Sequence, residues 1–177
     1  LKIRQSERRA NNIQGILGDV KAQPTPRQDL DALFLAATPL QARQIKPTLA
    51  FQYAADLPVY ATSHSYQVDP SGAQNTDLDG LLVAETPWLL DQDDPLYSSV
   101  TSNWPQAAGP LGRLYAMGID AQRIFSRLPQ MRQYPDTRID GATGLLSLGQ
   151  GGRIQRDLAW GQIQDGLLEP AVLDDRF

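Results

Sequence analysis

The chain has 177 residues, 41% of them hydrophobic and 20% charged, which is ordinary for a globular domain with one sizeable core or two small lobes. A formal net charge of -4 and a pI near 4.9 argue against a nucleic-acid surface, which needs clustered positive charge. With no cysteine, disulfides, cysteine-ligated zinc and thiol catalysis are excluded.

Residues 1–17 read as a helix, with Ile13, Ile16 and Leu17 as its apolar positions and Gly18-Asp19 as its end. Lys2, Arg4, Arg8 and Arg9 form a basic patch there, interrupted by Glu7, and read as a solvated helix face. The chain opens on Leu1 inside this helical pattern, so it reads as an internal or C-terminal piece of a longer protein. A loop over 18–30 follows, where Pro24 and Pro26 block regular pairing.

Residues 31–62 carry the strongest local pattern. An apolar run over 32–37 predicts a buried strand, and Thr38-Pro39 supplies a helix cap followed by proline at the first helical position. Ile45, Leu49 and Tyr53 recur at helical spacing, and Pro47 is expected to kink or restart the helix. Asp56-Leu57-Pro58 then turns the chain into a second run over 59–62. Strand, helix and strand in this order predict a βαβ unit with parallel strands. Sites in such units lie beyond the C-terminal strand ends. Here those ends are Thr38 and the segment Ser63-His64-Ser65-Tyr66.

Residues 67–79 are a polar loop, and 81–84 predict another strand stopped near Pro87. Thr86 and Trp88 sit at that strand's end and join the candidate cleft or partner surface. The acids of 91–94 open a helix over 95–103, where the helix dipole favours negative charge. A longer helix is predicted over 111–128, with Leu114, Met117, Ala121, Ile124 or Phe125, and Leu128 on one face and Pro129 at its end. Asp120, inside that helix, reads as a buried carboxylate bonded to nearby backbone. After Asp140-Gly141 the apolar period falls to two, with a turn at 149–152 and another at Asp165-Gly166. The tail therefore reads as a small antiparallel meander on an α/β body.

Catalytic readings fare poorly. His64 is the one histidine, and no G-x-S-x-G elbow accompanies Ser63 or Ser65. The acid pairs Asp29/Asp31, Asp77/Asp79, Asp93/Asp94 and Asp174/Asp175 lie in loops or at helix starts, where capping explains them better than glycoside hydrolysis. The acids of 91–94 lack the calcium-loop pattern, and the glycines of 149–152 lack the ending of a phosphate loop. No catalytic residue, metal or cofactor is expected. Trp160 reads as core, and Trp88 as either core or cleft rim.

Four stretches occur in a familiar order: 29–66, DGLLVAETPWLL at 79–90, LYAMGIDAQRIFSRL at 114–128, and the tail over 138–166, with the wording closest in QARQIKPTLAFQYAADLPVYATSHSY and RLYAMGIDAQRIFSRLPQMR. Together they resemble the C-terminal part of the LppC family. These are outer-membrane lipoproteins of Gram-negative bacteria that activate a class A penicillin-binding protein, a bifunctional peptidoglycan synthase. The resemblance implies an α/β, type I periplasmic-binding-protein-like fold. It has parallel βαβ units, helices on both faces and a small antiparallel meander near the C-terminus, here as an incomplete two-lobe domain. Residues 1–90 would form mostly one lobe, 91–135 part of the other, and 136–177 the C-terminal meander. It also implies a non-enzymatic regulator on the periplasmic side of the outer membrane, with a lipid anchor outside this chain. The rival reading is a periplasmic receptor of the same fold for an amino acid or peptide. Its need for charged groups at strand ends is poorly met by Thr38, Thr62, Ser63, Ser65 and Thr86.

Overall fold

The computed structural model describes residues 30–51 and 54–172, together with Arg8, Asn11 and Asn12, which are helical. The rest of the expected N-terminal helix, the loop over 18–29, Tyr53 and the pair Asp174/Asp175 lie outside the described residues.

The predicted βαβ unit is present as β1 (Leu33–Leu35), α1 (Pro39–Phe51) and β2 (Val59–Thr62), and the two strands pair in parallel. The start of α1 follows from a local exchange of hydrogen bonds. The Thr38 N–H donates to Gln41 Oε1 at 3.0 Å, and the Gln41 N–H donates to Thr38 Oγ1 at 3.5 Å. This reciprocal cap satisfies two donors that a helix start would otherwise leave open. The helix runs through Pro47 without a restart. It buries Ala42 and Leu49, while Ile45 is exposed, so the inward stripe is narrower than the apolar spacing predicts.

Strand β3 (Leu82–Glu85) adds in parallel to β2. The chain returns to β3 only much later, as β7 (Ala159–Gln164), which pairs with it antiparallel, and β8 (Leu167–Pro170) closes the five-stranded sheet in the order β1-β2-β3-β7-β8. The β7–β8 turn has positive φ at both central residues, 49° at Asp165 and 76° at Gly166. That backbone twist matches the twist of the flanking strands and favours Asp-Gly. One face of the sheet packs with α1 in a core of Leu35, Val59, Ala61, Leu81, Val83 and Ile163. Each fully buried aliphatic side chain contributes roughly 1.5–3 kcal/mol. The other face carries the cross-strand row Phe34, Tyr60 and Leu82, with Trp160 edge-on to Tyr60 at 5.5 Å.

Between β3 and β7 the chain builds a second layer. It comprises α2 (Pro87–Leu90), α3 (Pro95–Asn103), α4 (Gly112–Gln133) and a three-stranded antiparallel sheet, β4 (Arg138–Asp140), β5 (Leu145–Leu148) and β6 (Ile154–Asp157). The bounds of α3 agree with the sequence, and its N-cap Asp94 accepts the Leu96 N–H at 2.7 Å. The antiparallel tail is divided between the two sheets. Leu158 alone separates β6 in the small sheet from β7 in the large one.

Helix α4 departs from its expectation twice. It continues through Pro129 to Gln133. Proline deletes one backbone bond, but Phe125 and Pro129 are both exposed, so water can serve the orphaned carbonyl. Its buried residues are Gly112, Ala116, Asp120 and Met131, whereas Leu114 is 60%, Met117 56% and Phe125 84% exposed. Close packing is the reason. A Cβ on Gly112 would come within 2.8 Å of the Ala107 carbonyl oxygen and 3.0 Å of Leu89 Cδ2, so the inward face needs small residues. Among the described residues no helix is long and apolar enough to cross a membrane.

Candidate functional site

The C-terminal ends of β1, β2 and β3 meet on one rim, where Ser65 and Arg113 tie the strand ends together. After β2, Ser63–Ser65 form a 3-10 turn. The turn buries Ser65, whose Oγ donates to the Ala37 carbonyl at 3.0 Å and so ties the β2 end to the β1 end. His64 is exposed, and Tyr66 is buried, which together with the nearby Glu85 carboxylate holds its phenol above the ordinary value of 10.0. With Ser65 spent on Ala37, these residues do not assemble a nucleophile and base.

At the end of β3, Glu85 is 0% exposed. Its Oε1 accepts the Thr86 N–H at 2.7 Å, and both carboxylate oxygens accept from Arg113 Nε at 3.1 and 3.0 Å, with Arg113 Nη2 closing a salt bridge on Oε2. The same Nη2 donates to the Ser63 carbonyl at 3.0 Å and the Tyr66 carbonyl at 3.5 Å. Arg113 stands in the first turn of α4. One guanidinium therefore fastens α4 to β3 and to the loop after β2. A buried carboxylate needs such a partner, since leaving it alone in a low dielectric is costly. The sequence reading missed this pair. The available signal was a carboxylate closing the apolar run at 81–84.

The remaining candidates divide between this rim and the interior. Thr38 is exposed at the cap of α1, its hydroxyl hydrogen-bonded to Gln41. Thr86 is the N-cap residue of α2, buried, with an Oγ1 that has no hydrogen-bond partner. Trp88 is 3% exposed, donates from Nε1 to the Ala107 carbonyl at 2.9 Å and packs on Tyr97 at 4.9 Å between ring centres. It is core. Trp160 is half-buried at the edge of a groove.

Asp120 forms a second polar junction. Its carboxylate accepts from the N–H of Ala142, the N–H of Thr143 and Thr143 Oγ1, each at 2.7 Å, and pairs with Arg123 at 3.5 Å. It clasps α4 to the β4–β5 turn, which bears out the expected buried carboxylate bonded to backbone.

Comparison with known proteins puts this geometry in context. The family model described as "LppC putative lipoprotein" matches residues 1–166. "Penicillin-binding protein activator LpoA" of Pectobacterium parmentieri is 33% identical over 95% of this chain. The chain spans about a quarter of the length of the curated relatives it matches, 27% and 26% for two of them. Among solved structures, the "LpoA (YraM) C-domain from Haemophilus influenzae, a regulator of PBP1A" aligns with a TM-score of 0.68 at 25% identity, over 92% of this chain and 49% of that one. A "putative branched-chain amino acid ABC transporter" from Chromobacterium violaceum aligns at 0.57 with 34% identity, over 75% of this chain and 42% of that one. The α/β, periplasmic-binding-protein-like fold expected from the sequence is thereby shown.

Proposed function

Because the chain belongs to the LppC lipoprotein family, we propose that it serves in activating a class A penicillin-binding protein, with no chemistry of its own, on the periplasmic side of the outer membrane and with its lipid anchor outside these residues. The observation that carries this reading is the 33% identity, sustained over 95% of the chain, to a relative named as a penicillin-binding protein activator. Activation then works by population shift, in which the activator binds the active conformer of the synthase more tightly than the inactive one. A tenfold bias needs about 1.4 kcal/mol of differential contact, well within reach of a few side chains. Of the rim residues, Thr38 and His64 are exposed and are the proposed contact points. The internally bonded rim behind them would hold those points rigid.

Surface plasmon resonance of the chain against the periplasmic part of a class A synthase, beside a peptide cross-linking assay, tests this. Saturable binding with stimulation is the expected result. Absence of binding by this chain and by the intact C-terminal domain alike refutes it.

The likeness to a putative amino acid transporter favours a second reading, a small-molecule receptor. Glu85 and Arg113 supply charge at the strand ends, but they satisfy each other, which leaves little to hold a zwitterion. A saturable thermal shift with a free amino acid would promote this reading.

A further inference from the structure

A broad groove of about 1180 Å³ lies beside β8 and adjoins the Glu85–Arg113 rim at Tyr66. Its walls are apolar and aromatic: Tyr66, Leu89, Tyr97, Trp160, Leu168 and Pro170. Its acids are Asp69, Asp91, Asp93 and Glu169, and among the described residues no lysine, arginine or histidine lines it. These acids have no salt-bridge partner among the described residues. The Asp69 carboxyl is held below its ordinary value by the Gln74 N–H, Ser71 and, more weakly, Arg43, so that it stays ionised. The volume exceeds that of common small-molecule sites, roughly 300–1,000 Å³. Aromatic walls with one sign of charge at the edge suit a chain segment that brings apolar groups and the opposite charge.

We propose that this groove docks an extended basic peptide segment of a partner protein, whose apolar or proline side chains lie against Trp160, Tyr97 and Leu168 while its lysines or arginines meet Asp91, Asp93 and Glu169. Charge complementarity selects this occupant. An acidic or zwitterionic ligand would find no cation among the described residues of the lining. The proposal stands apart from the synthase reading, because it is tested without the synthase.

The probe is a fluorescein-labelled peptide of about 12 lysine, proline and leucine residues, read by anisotropy on the full chain. One control peptide replaces lysine by glutamate, and a second replaces leucine by serine. Saturable binding of the basic apolar peptide alone is expected, weakening as salt rises. Asp91, Asp93 and Glu169 are exposed, so the triple variant Asp91→Lys/Asp93→Lys/Glu169→Lys leaves the core untouched. It should bind about tenfold more weakly. A thermal melt matching the parent's confirms that the variant is folded. Equal binding of the glutamate peptide, an unchanged triple variant, or no binding overturns the proposal. So does sedimentation that finds the groove filled by a second copy of the chain, reported by self-association that the triple variant abolishes.

Discussion

Removing Arg113 should expose how much the strand-end rim depends on one side chain. In Arg113→Ala, Glu85 keeps a single donor, the Thr86 N–H at 2.7 Å, and loses the contacts from Arg113 Nε and Nη2. The Ser63 and Tyr66 carbonyls lose theirs as well. Breaking a buried pair from one side costs about 3–5 kcal/mol. The Arg113 side chain is 31% exposed, so water can partly replace it and the lower end, about 3 kcal/mol, is expected. That is a large share of a typical stability of about 5–15 kcal/mol. Glu85→Leu should cost a similar amount, while Glu85→Leu/Arg113→Ala should cost well below the sum, because no lone charge stays buried. Equilibrium urea unfolding followed by circular dichroism measures all three variants. A cost below about 1 kcal/mol for Arg113→Ala would show that the rim does not depend on this guanidinium. Single costs that add to the double within about 0.5 kcal/mol would show that the two side chains act independently.

Asp120→Ala strands the buried Ala142 and Thr143 N–H groups and should cost about 3 kcal/mol, with Asp120→Asn milder; amide exchange at 142 and 143 reports the loss directly. Pro129→Ala restores a helix bond at an exposed position and should stabilise by about 1 kcal/mol or more, seen as a higher urea midpoint. Gly166→Ala should cost more than about 2 kcal/mol, since φ is 76° and a Cβ would stand 2.0 Å from the Gly72 carbonyl oxygen. Gly151→Ala, with φ 73° but open space, should cost only about 1 kcal/mol in the same assay. The pKa of Asp69 is lowered in the fold from an ordinary 3.8, so its contribution is present above that value and is lost as pH falls through the lowered one. Asp69→Asn should therefore lose less stability than the parent in an acid titration.

The sequence was legible where structure is set by neighbours. The cap at Thr38, helix α3 from its Asp94-Pro95 start and the Asp165-Gly166 turn each rest on contacts within a few residues, and the parallel pair around α1 follows from the order strand, helix, strand. Asp120 was legible for a related reason, because a carboxylate on a helix face among apolar residues must find donors. The inward face of α4 was not. Apolar period points to Leu114 and Phe125, but the packing distance set by Ala107 and Leu89 selects Gly112 and Ala116. The Glu85–Arg113 pair spans 28 positions and leaves no local spacing to read. The division of the tail at Leu158 was hidden too, since alternation continues unbroken while the chain changes sheets.

The late return of β7 to β3 has a consequence for how the chain is made. Glu85 pairs with Ala159, and Leu82 with Gln162, so the open edge of β3 has no partner until residues 159–162 have emerged. Non-local pairing of this kind slows folding, and an unpaired apolar strand edge invites wrong neighbours while it waits. Shielding is therefore needed most in the interval between synthesis of residue 85 and residue 164, and a nascent chain halted inside that interval should aggregate more readily than one halted after it.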